Sequence, residues 1–397
     1  MTVAHRAAMP ARPGVQPQRE NGLDALRGFA LLGIVVVNAP FFASPLGGAT
    51  IGPGVADALA EWIVIAFGAG KFFLIFSLLF GYGIAELAAR AKEQERSTAA
   101  LRRRLAALFI IGVVHGVFLF YGDILMLYAV IGAALLPLSR ASPPALRTVT
   151  ITALILGVAS QNVVFTLGAT LVPEGADLVP KTGYLGSFLD AAAARAADLP
   201  IAQIGVLMFN AVSALAMAVL GLLWHRGGGV DTVIGLASRH SRAMRRAAIA
   251  AALVSAVAGL VIVLAMRDPG SIGLGVSIAS AAAVSLAAPI LSAALVLACL
   301  RRTTQDPDAA SVAALAALGR TSLSGYLLHS VLLSAVFNGW GLGLLGTVGS
   351  ARVLLLSFAV YAAMLCFAVA WQQWFRLGPA EWVLRSVAAL RPIPLMR

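Results

Sequence analysis

The chain has 397 residues, 60% of them hydrophobic and 12% charged, with a formal net charge of +12. A soluble domain carries about twice that share of charge, so a water-facing fold is excluded, and with it the nucleic-acid partner that such a basic chain would otherwise suggest. Its two cysteines, Cys299 and Cys366, lie in apolar runs and give neither a disulfide framework nor a metal spacing, so no metal is expected.

Residues 1–21 are rich in Pro, Ala and Arg and read as a disordered cytoplasmic tail; they lack the apolar stretch of a signal peptide. Ten apolar spans follow: Leu23–Phe42, Trp62–Ala89, Leu105–Phe120, Ile124–Leu138, Val149–Leu167, Ile201–Trp224, Ala247–Met266, Ile272–Leu300, Leu318–Leu342 and Val353–Phe375. The expected fold is all-α, a polytopic membrane bundle over residues 22–375. An extracytoplasmic loop covers 168–200, a C-terminal half covers 225–397, and a cytoplasmic tail covers 376–397. With both termini inside a bacterial plasma (inner) membrane, 24 basic residues face the cytoplasm and 4 face out. That asymmetry is the positive-inside pattern, and a missed span would invert every later loop and spoil it.

Ionisable side chains cost roughly 2.5–3.5 kcal/mol each inside hydrocarbon, so each one in a span raises a functional question. At the entry to the first span stand Asp24 and Arg27. In the second, Gly68-Ala69-Gly70 precedes Lys71. If the glycines break the helix, Lys71 marks its outer end and can pair with Asp123 or hold an anionic substrate group. If they do not, Lys71 lies deep in the core. The following loop holds Arg102, Arg103 and Arg104, which serve topology and anionic-lipid contact or, with Asp24 and Arg27, grip the phosphates of a coenzyme A thioester.

Leu105–Leu138 is 34 residues long. As one helix it would reach about 51 Å, too long for a core of about 30 Å. It therefore turns, and Tyr121-Gly122-Asp123 is the turn. The two short arms sink the tip below the outer surface and open a recess. His115 then sits at its bottom as a general base oriented by Asp123, and Tyr128 on the second arm is a candidate substrate-binding residue. In the alternative, His115 bonds a neighbouring helix and Asp123 caps the next one. Late in the chain, Tyr326 and His329 share a polar helix face near the midplane and line a substrate path or bind helix to helix. No Walker-type phosphate loop, zinc signature or nucleophile elbow occurs, which removes ATP-driven transport and the usual hydrolases.

LDALRGFALLGIVVVN (Leu23–Asn38), KFFLIFSLLFGYG (Lys71–Gly83), the HG…GDIL hairpin (His115–Leu125), GRTSLSGYLLHS (Gly319–Ser330) and GPAEWVLR (Gly378–Arg385) resemble, in order, the YeiB family of bacterial multi-span membrane proteins. The C-terminal half of that family is a domain of unknown function. The first motif is also similar to the start of transmembrane acyltransferases, including acyltransferase-3 proteins and heparan-glucosaminide acetyltransferase. That resemblance implies acyl transfer from a cytosolic acyl-CoA to a small-molecule, glycan or lipid acceptor across the membrane. Acyltransferase-3 proteins commonly carry a His late in the first span, where this chain has Asn38, so His115 would have to serve. A small-solute permease and a non-catalytic lipid-binding partner are the competing readings.

Overall fold

The computed structural model describes residues 15–44, 52–93, 98–171, 182–268 and 270–396. Arg6, Arg12, Arg96, Lys181 and Arg397, counted among the basic residues above, lie outside them, as do residues 172–181 of the expected extracytoplasmic loop. Fourteen α-helices account for nearly all of the described chain: α1 Val15–Ala43, α2 Val55–Ile63, α3 Lys71–Glu93, α4 Ala99–Phe118, α5 Leu125–Leu138, α6 Pro143–Leu171, α7 Phe188–Arg226, α8 Gly229–Arg239, α9 Ser241–Arg267, α10 Leu274–Gln305, α11 Ala310–Arg320, α12 Ser322–Phe337, α13 Ser350–Trp371 and α14 Pro379–Ala389. Among the described residues, seven stretches are long and apolar enough to cross a bilayer, with α2 and α3 counted together; α5, α11 and α12 are shorter apolar helices. The chain is an all-α polytopic membrane bundle.

Small residues set the closest helix contacts. A side chain at Gly28 would collide with the Leu315 carbonyl and one at Gly319 with that of Asp24, so α1 and α11 touch through their backbones. Gly81 and Gly221 do the same for α3 and α7, against Ala218 and Leu78. Lipid supplies no hydrophobic drive between helices, so this intimate packing takes its place.

Three local features stand out, the first being one of the two alternatives the glycines left open. The second span is broken: α2 runs into a π-helical turn at Val64–Gly68, Gly70 takes φ +80°, and α3 starts at Lys71. The ninth is also broken, with Thr321 separating α11 from α12. The C-terminal tail carries a helix, α14, with Glu381 buried against α12. At the other end of the chain, residues 15–21 are helical rather than disordered.

Candidate functional site

The α4–α5 hairpin turns over residues 119–124, as its length demands. Its tip carries backbone carbonyls freed from the helices, and inside a bilayer these need donors. The donors come from two other helices. The Arg195 guanidinium (α7) donates to Phe118 O at 3.0 Å, Ser334 Oγ (α12) to Leu119 O at 2.8 Å, and Gln203 Nε2 (α7) to both Tyr121 O and Asp123 O at 3.0 Å. The tip is roofed by protein, so the open recess expected above His115 is not what the structure holds. His115 is 2% exposed and Asp123 fully buried.

Beneath that roof lies a hydrogen-bonded relay. His115 Nδ1 is 2.7 Å from Asp123 Oδ2, and His115 Nε2 is 2.8 Å from Ser330 Oγ. An ionised carboxylate only accepts, which assigns the Nδ1 proton to a bond toward Asp123 and leaves Nε2 to accept from the Ser330 hydroxyl. The other Asp123 oxygen, Oδ1, accepts from Met126 N at 3.0 Å and holds the first turn of α5. Asp123 thus orients the imidazole and starts a helix at once.

A second histidine flanks the serine. His329 Nδ1 donates to its own helix at Tyr326 O, so Nε2 is the acceptor for Asn38 Nδ2 of α1 at 3.3 Å. Ser330 Oγ lies 3.4 Å from the same Nε2. Three helices, α1, α4 and α12, therefore meet around Ser330. The helix bearing it is anchored at its start by Glu381, whose carboxylate accepts from Leu323 N at 2.6 Å, Ser324 N at 3.2 Å and Ser324 Oγ at 2.5 Å. A carboxylate on the exposed N–H groups of a helix start meets both their hydrogen-bonding need and the helix dipole.

Phe42 and Phe120 stack at 4.5 Å and lie edge-on to His329 and His115 respectively. Beyond this aromatic pair, away from the serine, is a pocket of about 230 Å3 counting its open mouth, lined in part by Tyr121, Tyr184, Arg195 and Asn338. Tyr184 donates to Asp198 at 2.5 Å. Burial, together with that carboxylate, pushes the Tyr184 phenol well above its ordinary range, so it stays a donor.

The other anticipated residues lie elsewhere. Lys71 is buried and donates to Ile65 O in the π turn at 3.3 Å. Its carbonyl accepts from Ser292 of α10 at 2.8 Å, so Lys71 is packed inside the bundle at the start of α3. The break occurs, but Asp123 is engaged by His115 and Met126 N, so the suggested Lys71–Asp123 pair does not form. Tyr128 donates to Ser77 at 3.1 Å and stacks on Phe80 in the core, apart from the serine. Tyr326 packs its ring 5.0 Å from that of His115.

At the basic end, Arg27 pairs with Asp24 at 2.5 Å, Arg103 donates twice to Ala388 O at the end of α14, and Arg104 sits among the charges of Arg385, Glu381 and Arg27. Arg102 is exposed. Two of the arginines expected to grip phosphates are thus spent on structure. Among the described residues no cluster of His, Cys, Asp and Glu is arranged to hold a metal.

Sequence reasoning missed Ser330, Glu381, Arg195 and Gln203. Ser330 stands beside His329 in the sequence, yet its partner His115 is 215 residues away. Glu381 lies inside GPAEWVLR, the one signal that could have found it.

Residues 232–391 match the model of a protein family of unknown function, DUF418. Over nearly its full length the chain is similar to uncharacterized protein YxaH of Bacillus subtilis, 26% identical over 97% of this chain and 98% of that protein. It is 25% identical to uncharacterized protein YeiB of Escherichia coli over 93% and 96% of the two chains. An uncharacterized 39.9 kDa protein in the amylase 3' region of Bacillus acidopullulyticus is 41% identical, over 30% of this chain and 34% of its own. None of these three names carries an activity. The match to DUF418 takes in Ser330, His329 and Glu381 but not His115, Asp123 or Asn38, so the site joins the two halves of the chain. By these matches along nearly its whole length, and by its helical membrane bundle, the chain is similar to the YeiB-like proteins, membrane proteins of unknown function.

Proposed function

We propose that the protein is a membrane acyltransferase that works through an acyl–Ser330 intermediate. The observation that carries this reading is the Asp123–His115–Ser330 relay, with bonds of 2.7 and 2.8 Å in a closed, water-poor site. A serine hydroxyl is a weak nucleophile until a base takes its proton, and a carboxylate behind that base fixes the tautomer that can do so. Ser330 Oγ attacks the acyl carbonyl of a thioester donor while His115 Nε2 takes its proton. The acyl–sulfur bond breaks, and His115 returns the proton to the departing thiolate. An acceptor hydroxyl or amine then attacks acyl–Ser330, losing its proton to His115, which restores it to Ser330. The amide of Asn38 and the phenol of Tyr326 are donors within the cluster for the charge that builds on the carbonyl oxygen.

Depth supports a transfer across the membrane. Ser330 stands eight residues from Ser322, where α12 starts, and eight from Asn338, about 12 Å of helix each way, so donor and acceptor can approach from opposite faces. With the basic end in the cytoplasm of a bacterial plasma membrane, the donor is cytosolic, and an acyl-CoA fits that role. Purified protein incubated with radiolabelled acetyl-CoA is expected to carry label that hydroxylamine releases, and Ser330→Ala to carry none. Equal labelling of the two would sink the reading.

A small-solute permease has one observation in its favour: the helix breaks at Gly70 and Thr321, since transporters build their sites at discontinuous helices. Solute uptake by vesicles that Ser330→Ala leaves untouched would favour it.

A further inference from the structure

The pocket behind Phe42 and Phe120 takes no part in the relay, and its chemistry is one-sided. Arg195 lines it, is 2% exposed, and carries five N–H donors, of which one goes to Phe118 O and one to Ser334 Oγ at 3.3 Å. Among the described residues no carboxylate pairs with it; Asp198 accepts from Tyr184 instead. Asn338 also lines the pocket and is 2% exposed, and its amide nitrogen has no partner among the described residues. Arg195, which also lies 5.5 Å over the Tyr184 ring, and Asn338 leave buried N–H donors unspent, and a guanidinium fork beside an amide is matched by an oxyanion with paired oxygens.

The pocket is placed to serve Ser330. Ser330, Ser334 and Asn338 recur every four residues along α12 and its end, about 6 Å apart per step. Arg195, held on Ser334, is therefore about one helical turn from the serine hydroxyl. We infer that this pocket seats an anionic group of the acyl acceptor, a carboxylate or a phosphate, and so sets which acceptors reach Ser330. The inference rests on the acyl-transfer reading for the word acceptor; anion binding itself does not. Inside, the pocket leaves about 10 Å3, on the order of one water, so an occupant must displace the Phe42–Phe120 stack, and that movement opens the way to the relay.

Titration calorimetry on protein in lipid nanodiscs, at fixed ionic strength, tests it with glucuronate and glycerol 3-phosphate against glucose and glycerol. Saturable binding of either anion, absent for the neutral counterparts, is expected, and the anion that binds identifies the group. Arg195→Gln should weaken it at least tenfold and Asn338→Ala several-fold, while Ser330→Ala binds as the unaltered protein does. Binding with no acyl transfer would keep the anion site and remove the transfer reading. Neither anion binding, neutral compounds binding equally, or unchanged affinity in Arg195→Gln would overturn the inference. Should Arg195→Gln fail to fold, unchanged affinity in Asn338→Ala overturns it alone.

Discussion

Asp123 divides its two oxygens between a histidine and a helix start, and the two tasks separate by mutation. Asp123→Asn keeps an acceptor for Met126 N but can present an N–H to His115, which favours the tautomer whose Nε2 no longer accepts from Ser330. The expected loss of acyl-transfer rate is on the order of 10^4, with an unfolding midpoint close to that of the unaltered protein. An unchanged acyl-transfer rate would make Asp123 a helix-start residue alone. Glu381 acts on Ser330 only through α12 and is a positioning residue. Glu381→Ala strips three hydrogen bonds from a buried helix start and should cost about 1–3 kcal/mol. Thermal unfolding in detergent measures it. Glu381→Gln, which still accepts, should recover much of the loss, and no difference between the two variants would deny the cap.

The hairpin and the first helix hold the relay together, and each has a weak point at the level of the element. The hairpin is too short to surface, so its carbonyls are satisfied by α7 and α12; the need for those donors is what draws Arg195, Gln203 and Ser334 over the tip. On the first helix, Gly28 and Gly319 let α1 and α11 meet backbone to backbone, while Asn38 farther along α1 reaches His329. Gly28→Leu forces the two helices apart. It should lower stability by about 1–3 kcal/mol, the usual cost of overpacking, and reduce activity with it. Gly83 faces open space, so Gly83→Ala should leave both intact in the same assays.

For the molecule as a whole, the charge asymmetry sets the expected orientation. Arg27, Arg103, Arg104 and Arg385 gather at one end, and Arg195 and Arg267 lie toward the other, where Arg267 pairs with Glu61 at 2.9 Å. Single cysteines introduced at Gln305 and at Thr347, in a variant lacking Cys299 and Cys366, should react with an impermeant maleimide from opposite faces of the membrane, Thr347 from outside intact cells. The reverse pattern would invert the topology and place the acyl donor outside.

The helical membrane bundle, though not its exact number of spans, was legible in the chain because a bilayer imposes length and charge rules that act locally. The same locality made the α4–α5 turn and the Gly70 break readable, since a helix has a fixed rise and glycine alone takes φ +80° without strain. His115 and Asp123 could be paired for a related reason: eight residues of hairpin bring them together. What the tertiary structure decided is everything that crosses the bundle. It chose Ser330 as the partner of His115, gave Glu381 to α12, buried Lys71 away from Asp123, and filled with Arg195 and Gln203 the space where water had been expected. No periodicity encodes such pairs. They arise because a buried polar group must find a partner wherever packing brings one within hydrogen-bond reach, at any distance along the chain.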